Sequence, residues 1–125
     1  MQLKNSFFNV IGRDEVDGKY GCTIELNPDH FIFKAHFPGN PIVPGVCQVQ
    51  MVSELLAEKL GREVYLREVK NIKYLAVMTP SEQTVYDVAF QKIAAGEDEC
   101  KVVLTYADKE KPYAKFSLTY GYNKI

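Results

Sequence analysis

His36, Gly45, Val46, Gln50 and Glu54 are the candidate reactive groups of this 125-residue chain: an imidazole, two backbone amides, a side-chain amide and a carboxyl. An imidazole titrates near ~6.5, so a neutral histidine can take a proton at working pH. A lone histidine is by default a hydrogen-bonded core residue, but His36 opens an unusual segment. The run from His36 to Gly45 reads His-Phe-Pro-Gly-Asn-Pro-Ile-Val-Pro-Gly, with three prolines and two glycines in ten residues. Neither a regular helix nor a central strand tolerates that composition. The segment nevertheless keeps Phe37, Ile42 and Val43, which predicts a rigid, partly buried loop of the kind that site geometry requires.

A helix is predicted to follow at once, over Val46 to Leu60, stopping at Gly61 as its C′ residue. Its first backbone N–H groups have no intrahelical acceptor and carry partial positive charge, so Gly45 and Val46 can hold a developing oxyanion. Gly45 lets a reacting group approach the backbone closely, and Pro44 keeps the residue before it extended. Further along the same helix, Gln50 and Glu54 lie one turn apart and are neighbours on its surface. An amide has no proton to give at neutral pH, whereas a carboxylic acid does.

The remaining elements must hold this loop and helix in place. Lys19 to Leu26 alternates as a strand, breaks at Asn27-Pro28-Asp29, and is followed by the short apolar run Phe31-Ile32-Phe33. Val46, Val49, Val52, Leu56, Ala57 and Leu60 form one stripe of the helix, and Cys47, Met51 and Leu55 extend apolar character round much of the rest. Such a helix is expected to be buried. Beyond it the period shifts toward two, giving candidate strands Glu63 to Val77, Gln83 to Ile93, Glu99 to Tyr106 and Tyr113 to Tyr122, separated by turns. In the last, Ala114, Phe116, Leu118, Tyr120 and Tyr122 share a face. One α+β domain over residues 1–125, an antiparallel sheet wrapped around a long central helix, satisfies this order.

Composition narrows the partners. The formal net charge is −1, so there is no basic excess to hold nucleic acid. Cys22, Cys47 and Cys100 are an odd set without CxxC spacing, which argues for free thiols rather than a disulfide scaffold or zinc knuckle. Met1 to Gly12 lacks the pattern of a signal peptide, and no stretch approaches the roughly 18 apolar residues of a membrane span, so a cytoplasmic location is expected.

The stretch from His36 to Val46 closely resembles the signature H-F-P-G-x-P-x-x-P-G-V of the bacterial β-hydroxyacyl-acyl-carrier-protein dehydratases and matches every fixed position. The strand opened by Gly18-Lys19, the long helix, and the basic-aromatic run from Lys73 to Ser81 extend the resemblance along the chain. It implies the hotdog fold and dehydration of a 3-hydroxyacyl thioester carried on acyl-carrier protein or CoA, with no metal and no tightly held cofactor. It also implies a homodimer with His36 of one subunit facing the helix of the other. Some members of the family assemble as hexamers, trimers of such dimers. His36 would be the catalytic base, with Phe37, Pro44, Gly45 and Val46 against the substrate. Phe31, Phe33 and Phe37 are candidates for an acyl tunnel, with ordinary core packing an equal alternative.

This chain departs from the family on the helix. The dehydratases carry Glu or Asp at the position of Gln50 and glutamine one turn later, where this chain has Glu54. Three readings stand. In the first, His36 returns the proton to the leaving hydroxyl while Gln50 positions it; in the second, Glu54 acts as the acid; in the third, dehydration has been lost. We favour the first. A hotdog thioesterase using Glu54 to activate water, a non-catalytic acyl-binding subunit, and a heterodimer in which an unlike subunit completes the site are the alternatives. His30 and Cys47 are read as structural. Arg62, Arg67, Lys70 and Lys73 are read as a solvated strand face rather than a docking site for an acidic carrier.

Overall fold

The computed structural model describes residues 2–35 and 39–123. Six strands and two helices follow in the order β1 (Phe8–Val16), β2 (Lys19–Leu26), α1 (Phe31–Ala35), α2 (Gly45–Leu60), β3 (Val64–Tyr74), β4 (Val85–Ala95), β5 (Glu99–Ala107) and β6 (Pro112–Tyr122). The strands form a single antiparallel sheet in the order β1-β2-β4-β5-β6-β3, as expected for an α+β chain.

The sheet turns one face onto α2. Ile24, Val88, Phe90, Leu104, Phe116 and Leu118 project from it into a core that also takes Met51, Val52, Leu55 and Leu56 of the helix, all of these essentially without exposure. Two tyrosines tie the helix to the sheet by polar contacts as well. Tyr106 Oη donates to the carbonyl of Gln48 at 2.6 Å, and Tyr120 Oη to that of Val49 at 3.3 Å. Both hydroxyls are held at the protonated end of their range by burial, which keeps them donors.

Two elements come in addition to those expected, and one expectation needs correction. The N-terminal segment forms β1, an edge strand paired with β2 from Phe8↔Leu26 to Val16↔Lys19. The run Phe31-Ile32-Phe33 opens the one-and-a-half-turn helix α1, with Ile32 and Phe33 buried and Phe33 stacked on Phe7. The buried face of α2 is Cys47, Gln48, Met51, Val52, Leu55 and Leu56, whereas Val46 is 76% exposed and Val49 only half-buried. A helix apolar on most sides does not declare which side the sheet will cover.

Candidate functional site

The path into α2 is fixed by the backbone. Val43 N–H donates to the carbonyl of Met78 at 2.8 Å, pinning the end of the proline-rich loop to the segment after β3. Pro44 then takes the N-cap position with extended geometry and offers no side-chain cap. Its carbonyl accepts from Cys47 N–H and Gln48 N–H at 3.0 and 3.1 Å. The two preceding donors, on Gly45 and Val46, have no acceptor among the described residues. They are the pair that the sequence marks as able to hold an oxyanion.

These donors open on a cleft of about 580 Å³ between α2 and the edge strand β3. Its helix side is Gly45, Val46, Val49, Gln50 and Ser53; its strand side is mostly apolar, with Leu66, Val69, Ile72 and Tyr74. Tyr74 is the residue that sequence reasoning missed. Its hydroxyl stands against the Cα of Gly45, and a β-carbon there would clash with the hydroxyl and lie 3.2 Å from Cζ. The only signal was membership in the basic-aromatic run after the helix.

Gln50 lies on the border of this cleft and of a second, more polar cavity of about 470 Å³ that Lys4, Glu58, Glu63 and Asn123 help to line. Gln50 Nε2 donates to Glu54 Oε2 at 2.8 Å, so the two candidates are brought together as their spacing requires. Glu54 has further partners. Oε2 also accepts from Leu3 N–H at 2.8 Å, and Oε1 accepts from Lys4 N–H at 2.7 Å. The carboxylate thus bridges the N-terminal segment and the helix, a role with no signature in the sequence. Glu58, one turn on, accepts from Lys4 Nζ at 2.8 Å and Arg13 Nε at 2.7 Å, and these partners lower its pKa.

His36 and Phe37 lie outside the described residues, and what is described is the frame around them: α1 ending at Ala35, and the loop from Gly39 into α2. His30, by contrast, packs edge-on against Phe7, and its Nδ1 accepts from Ile32 N–H at 3.1 Å, so it caps α1. Phe33 belongs to the core and Phe31 is exposed. Cys47 is buried, and burial pushes its thiol up; desolvation outweighs the helix start that would favour a thiolate. Arg67 pairs with Glu99 at 3.2 Å and Arg62, itself exposed, lies over the Tyr122 ring at 3.8 Å. Among the described residues no cluster of His, Cys, Asp and Glu could hold a metal ion, and no helix is long and apolar enough to cross a membrane.

Residues 13–117 match the family model of the ApeI-like dehydratases. Among curated proteins, the 3-hydroxyacyl-[acyl-carrier-protein] dehydratase FabZ of Wolbachia pipientis wMel is 28% identical over 101 residues, covering 75% of this chain and 69% of its own. Among solved structures, the dehydratase heterocomplex ApeI:P from Xenorhabdus doucetiae superposes with a TM-score of 0.67 at 19% identity, covering 90% of this chain and 96% of the other. A hypothetical thioesterase from Streptococcus pneumoniae with coenzyme A superposes with a TM-score of 0.62 at 16% identity, covering 93% and 85%. At such identities the superpositions speak for the fold alone, and that fold is the hotdog.

Proposed function

The chain belongs to the ApeI-like dehydratase family, and from that premise we propose that it dehydrates 3-hydroxyacyl thioesters to trans-2-enoyl thioesters. The observation that carries this reading is the pair of N–H groups on Gly45 and Val46, which have no acceptor among the described residues and belong to the wall of an apolar cleft. An acyl chain fits the Leu66, Val69 and Ile72 side, and the thioester oxygen fits the donors.

The reaction follows from these parts. Neutral His36 removes a proton from C2, and the electrons move onto the thioester oxygen, where Gly45 and Val46 N–H stabilise the enolate. The enolate collapses to form the C2–C3 double bond and expels the C3 hydroxyl, which takes the proton held on His36 and leaves as water. One histidine serves as base and then as acid, so no separate carboxylic acid is required. Glu54 is poorly placed to act as one, since both its oxygens already accept hydrogen bonds.

The working unit in this reading is a homodimer. Strand β3 is an eleven-residue sheet edge with Tyr65, Leu66, Val69 and Tyr74 exposed, and Val46 stands exposed beside it. A long edge with this much apolar surface invites pairing with a second chain. Pairing there would close the cleft. Acyl-carrier protein or CoA would present the substrate, in the cytoplasm. A heterocomplex, as in the ApeI:P relative, is the alternative that sedimentation of the purified protein separates from the homodimer.

The test is direct. Purified protein is incubated with 3-hydroxyacyl chains of several lengths on acyl-carrier protein and on pantetheine, and enoyl thioester and free thiol are both measured. Enoyl product that disappears in His36→Ala is expected. Thiol release without enoyl product would make the chain a thioesterase, and saturable binding without either product would make it an acyl-binding subunit.

A further inference from the structure

The contact between Glu54 and Gln50 sets the polarity of the amide, and with it what the site offers a substrate. We infer that Glu54 is a positioning residue that holds Gln50 with its amide nitrogen turned back and its carbonyl oxygen toward the cleft, as the acceptor for the C3 hydroxyl of a 3-hydroxyacyl thioester. This rests on the dehydratase reading.

Backbone N–H groups can only donate, so the oxygens of Glu54 that face Leu3 and Lys4 at 2.8 and 2.7 Å are both acceptors there. Leu3 is itself buried, so the N-terminal segment that supplies these donors is anchored in the core. The carboxylate therefore cannot swing away or turn a proton toward Gln50. A glutamine 2.8 Å from a fixed acceptor must present nitrogen to it. The flipped amide would set oxygen against oxygen and lose a charge-assisted hydrogen bond. The carbonyl is then the end turned away from Glu54, and Gln50 forms part of the cleft wall.

This polarity suits a hydroxyl that must leave as water. The hydroxyl donates its own hydrogen to Gln50 Oε1 and keeps a lone pair for the proton carried by His36. Gln50 orients the leaving group and gives it nothing. The exchange of acid and amide along the helix then has a consequence: the carboxylate acts through the amide rather than on the substrate.

The experiment compares wild type, Glu54→Ala, Gln50→Ala and the double variant on 3-hydroxyhexanoyl-pantetheine. Removing Glu54 should lower kcat by about tenfold with KM nearly unchanged, and should cost almost nothing further once Gln50 is gone. Losses that multiply in the double variant would overturn the inference. Because Glu54→Ala also strips an acceptor from Leu3 and Lys4, Glu54→Gln serves as a second variant: its carbonyl oxygen can still accept from Gln50 Nε2, so it should recover part of the kcat lost in Glu54→Ala, and melting temperatures are recorded throughout. The Gln50 side-chain amide is followed in parallel by ¹⁵N NMR, where slow hydrogen exchange in wild type should become fast in Glu54→Ala. Should wild type yield no enoyl product, the dehydratase reading fails alone and the amide signal still decides: exchange unchanged by the substitution overturns the positioning role.

Discussion

The hydroxyl of Tyr74 occupies the space that a β-carbon on Gly45 would need, so the end of β3 rests directly on the start of α2. The absence of a side chain at Gly45 lets the strand approach and leaves Gly45 and Val46 on the cleft wall. Gly45→Ala should push the half-exposed Tyr74 ring outward rather than unfold the chain, since the clashing atom is the far end of a flexible side chain. Affinity for a non-reactive acyl-pantetheine amide, measured by calorimetry, is expected to fall by about tenfold, roughly 1.4 kcal/mol. Replacing Tyr74 by alanine in the same protein should recover part of it.

The turn between β5 and β6 carries a carboxylate with an unusually full set of donors. Asp108 accepts from Tyr113 Oη at 2.5 Å, from Gln83 Nε2 at 2.9 Å, and from the backbone N–H groups of Glu110 and Lys111. These bonds, the Tyr113 hydroxyl first, hold its carboxyl well below the usual carboxylate range. A group whose pKa is depressed on folding stabilises the fold above its unfolded pKa, near ~3.9, and that contribution is lost as pH falls toward the folded value. Tyr113→Phe should therefore shrink the stability difference between neutral and acid pH. Melting curves between about pH 2 and pH 6 check this: the variant should be less stable at neutral pH and converge on wild type at the acid end.

Much of this architecture was legible in residue pattern, and what was not has physical reasons. The helix α2, its stop at Gly61 and the four strands after it follow from periodicity, to within two or three residues at each end. Strand β1 escaped because most of it lies on an exposed edge and shows little alternation. The turn that follows it carries a signal that the pattern reading passed over: Asp17-Gly18 is a dipeptide that accepts positive φ at both positions, 53° and 76° here, and so closes a two-residue hairpin. The pairing of Gln50 with Glu54 was readable because contacts one helical turn apart are local. The bond from Glu54 to the backbone of Leu3 and Lys4 spans fifty residues, and no local rule announces it.

Gln48 is another feature that only the fold discloses. It sits on the buried face of α2, 4% exposed, and its Oε1 has no hydrogen-bond partner among the described residues. Nε2 reaches the Val43 carbonyl only at 3.4 Å, the outer limit for such a bond. A buried polar atom left unpaired costs about 1–3 kcal/mol, more than a long hydrogen bond returns. Gln48→Met, similar in size and without the orphaned oxygen, should stabilise the protein by about 1 kcal/mol, or roughly 4 °C in Tm. Thermal unfolding of the two proteins at one concentration makes the comparison, and a lower Tm for the methionine variant would mean that the Val43 contact matters more than its length implies.

Placing a carboxyl at position 50 tests the chemistry from the opposite direction. In Gln50→Glu the new group would face Glu54 at about the separation now bridged by a hydrogen bond, 2.8 Å. Two carboxylates that close cannot both ionise without strong repulsion, so the pair should retain one proton to well above the ordinary carboxylate range. Both oxygens of Glu54 stay occupied as acceptors from the Leu3 and Lys4 N–H groups, which leaves the shared proton on the new side chain, beside the cleft. The variant would then own an acid that wild type lacks. Its kcat for dehydration should exceed that of wild type at and below neutral pH and fall as rising pH strips the shared proton, giving a descending limb absent from the wild-type profile. Measuring kcat against pH for both proteins decides it: parallel profiles would mean that no shared proton reaches the leaving hydroxyl.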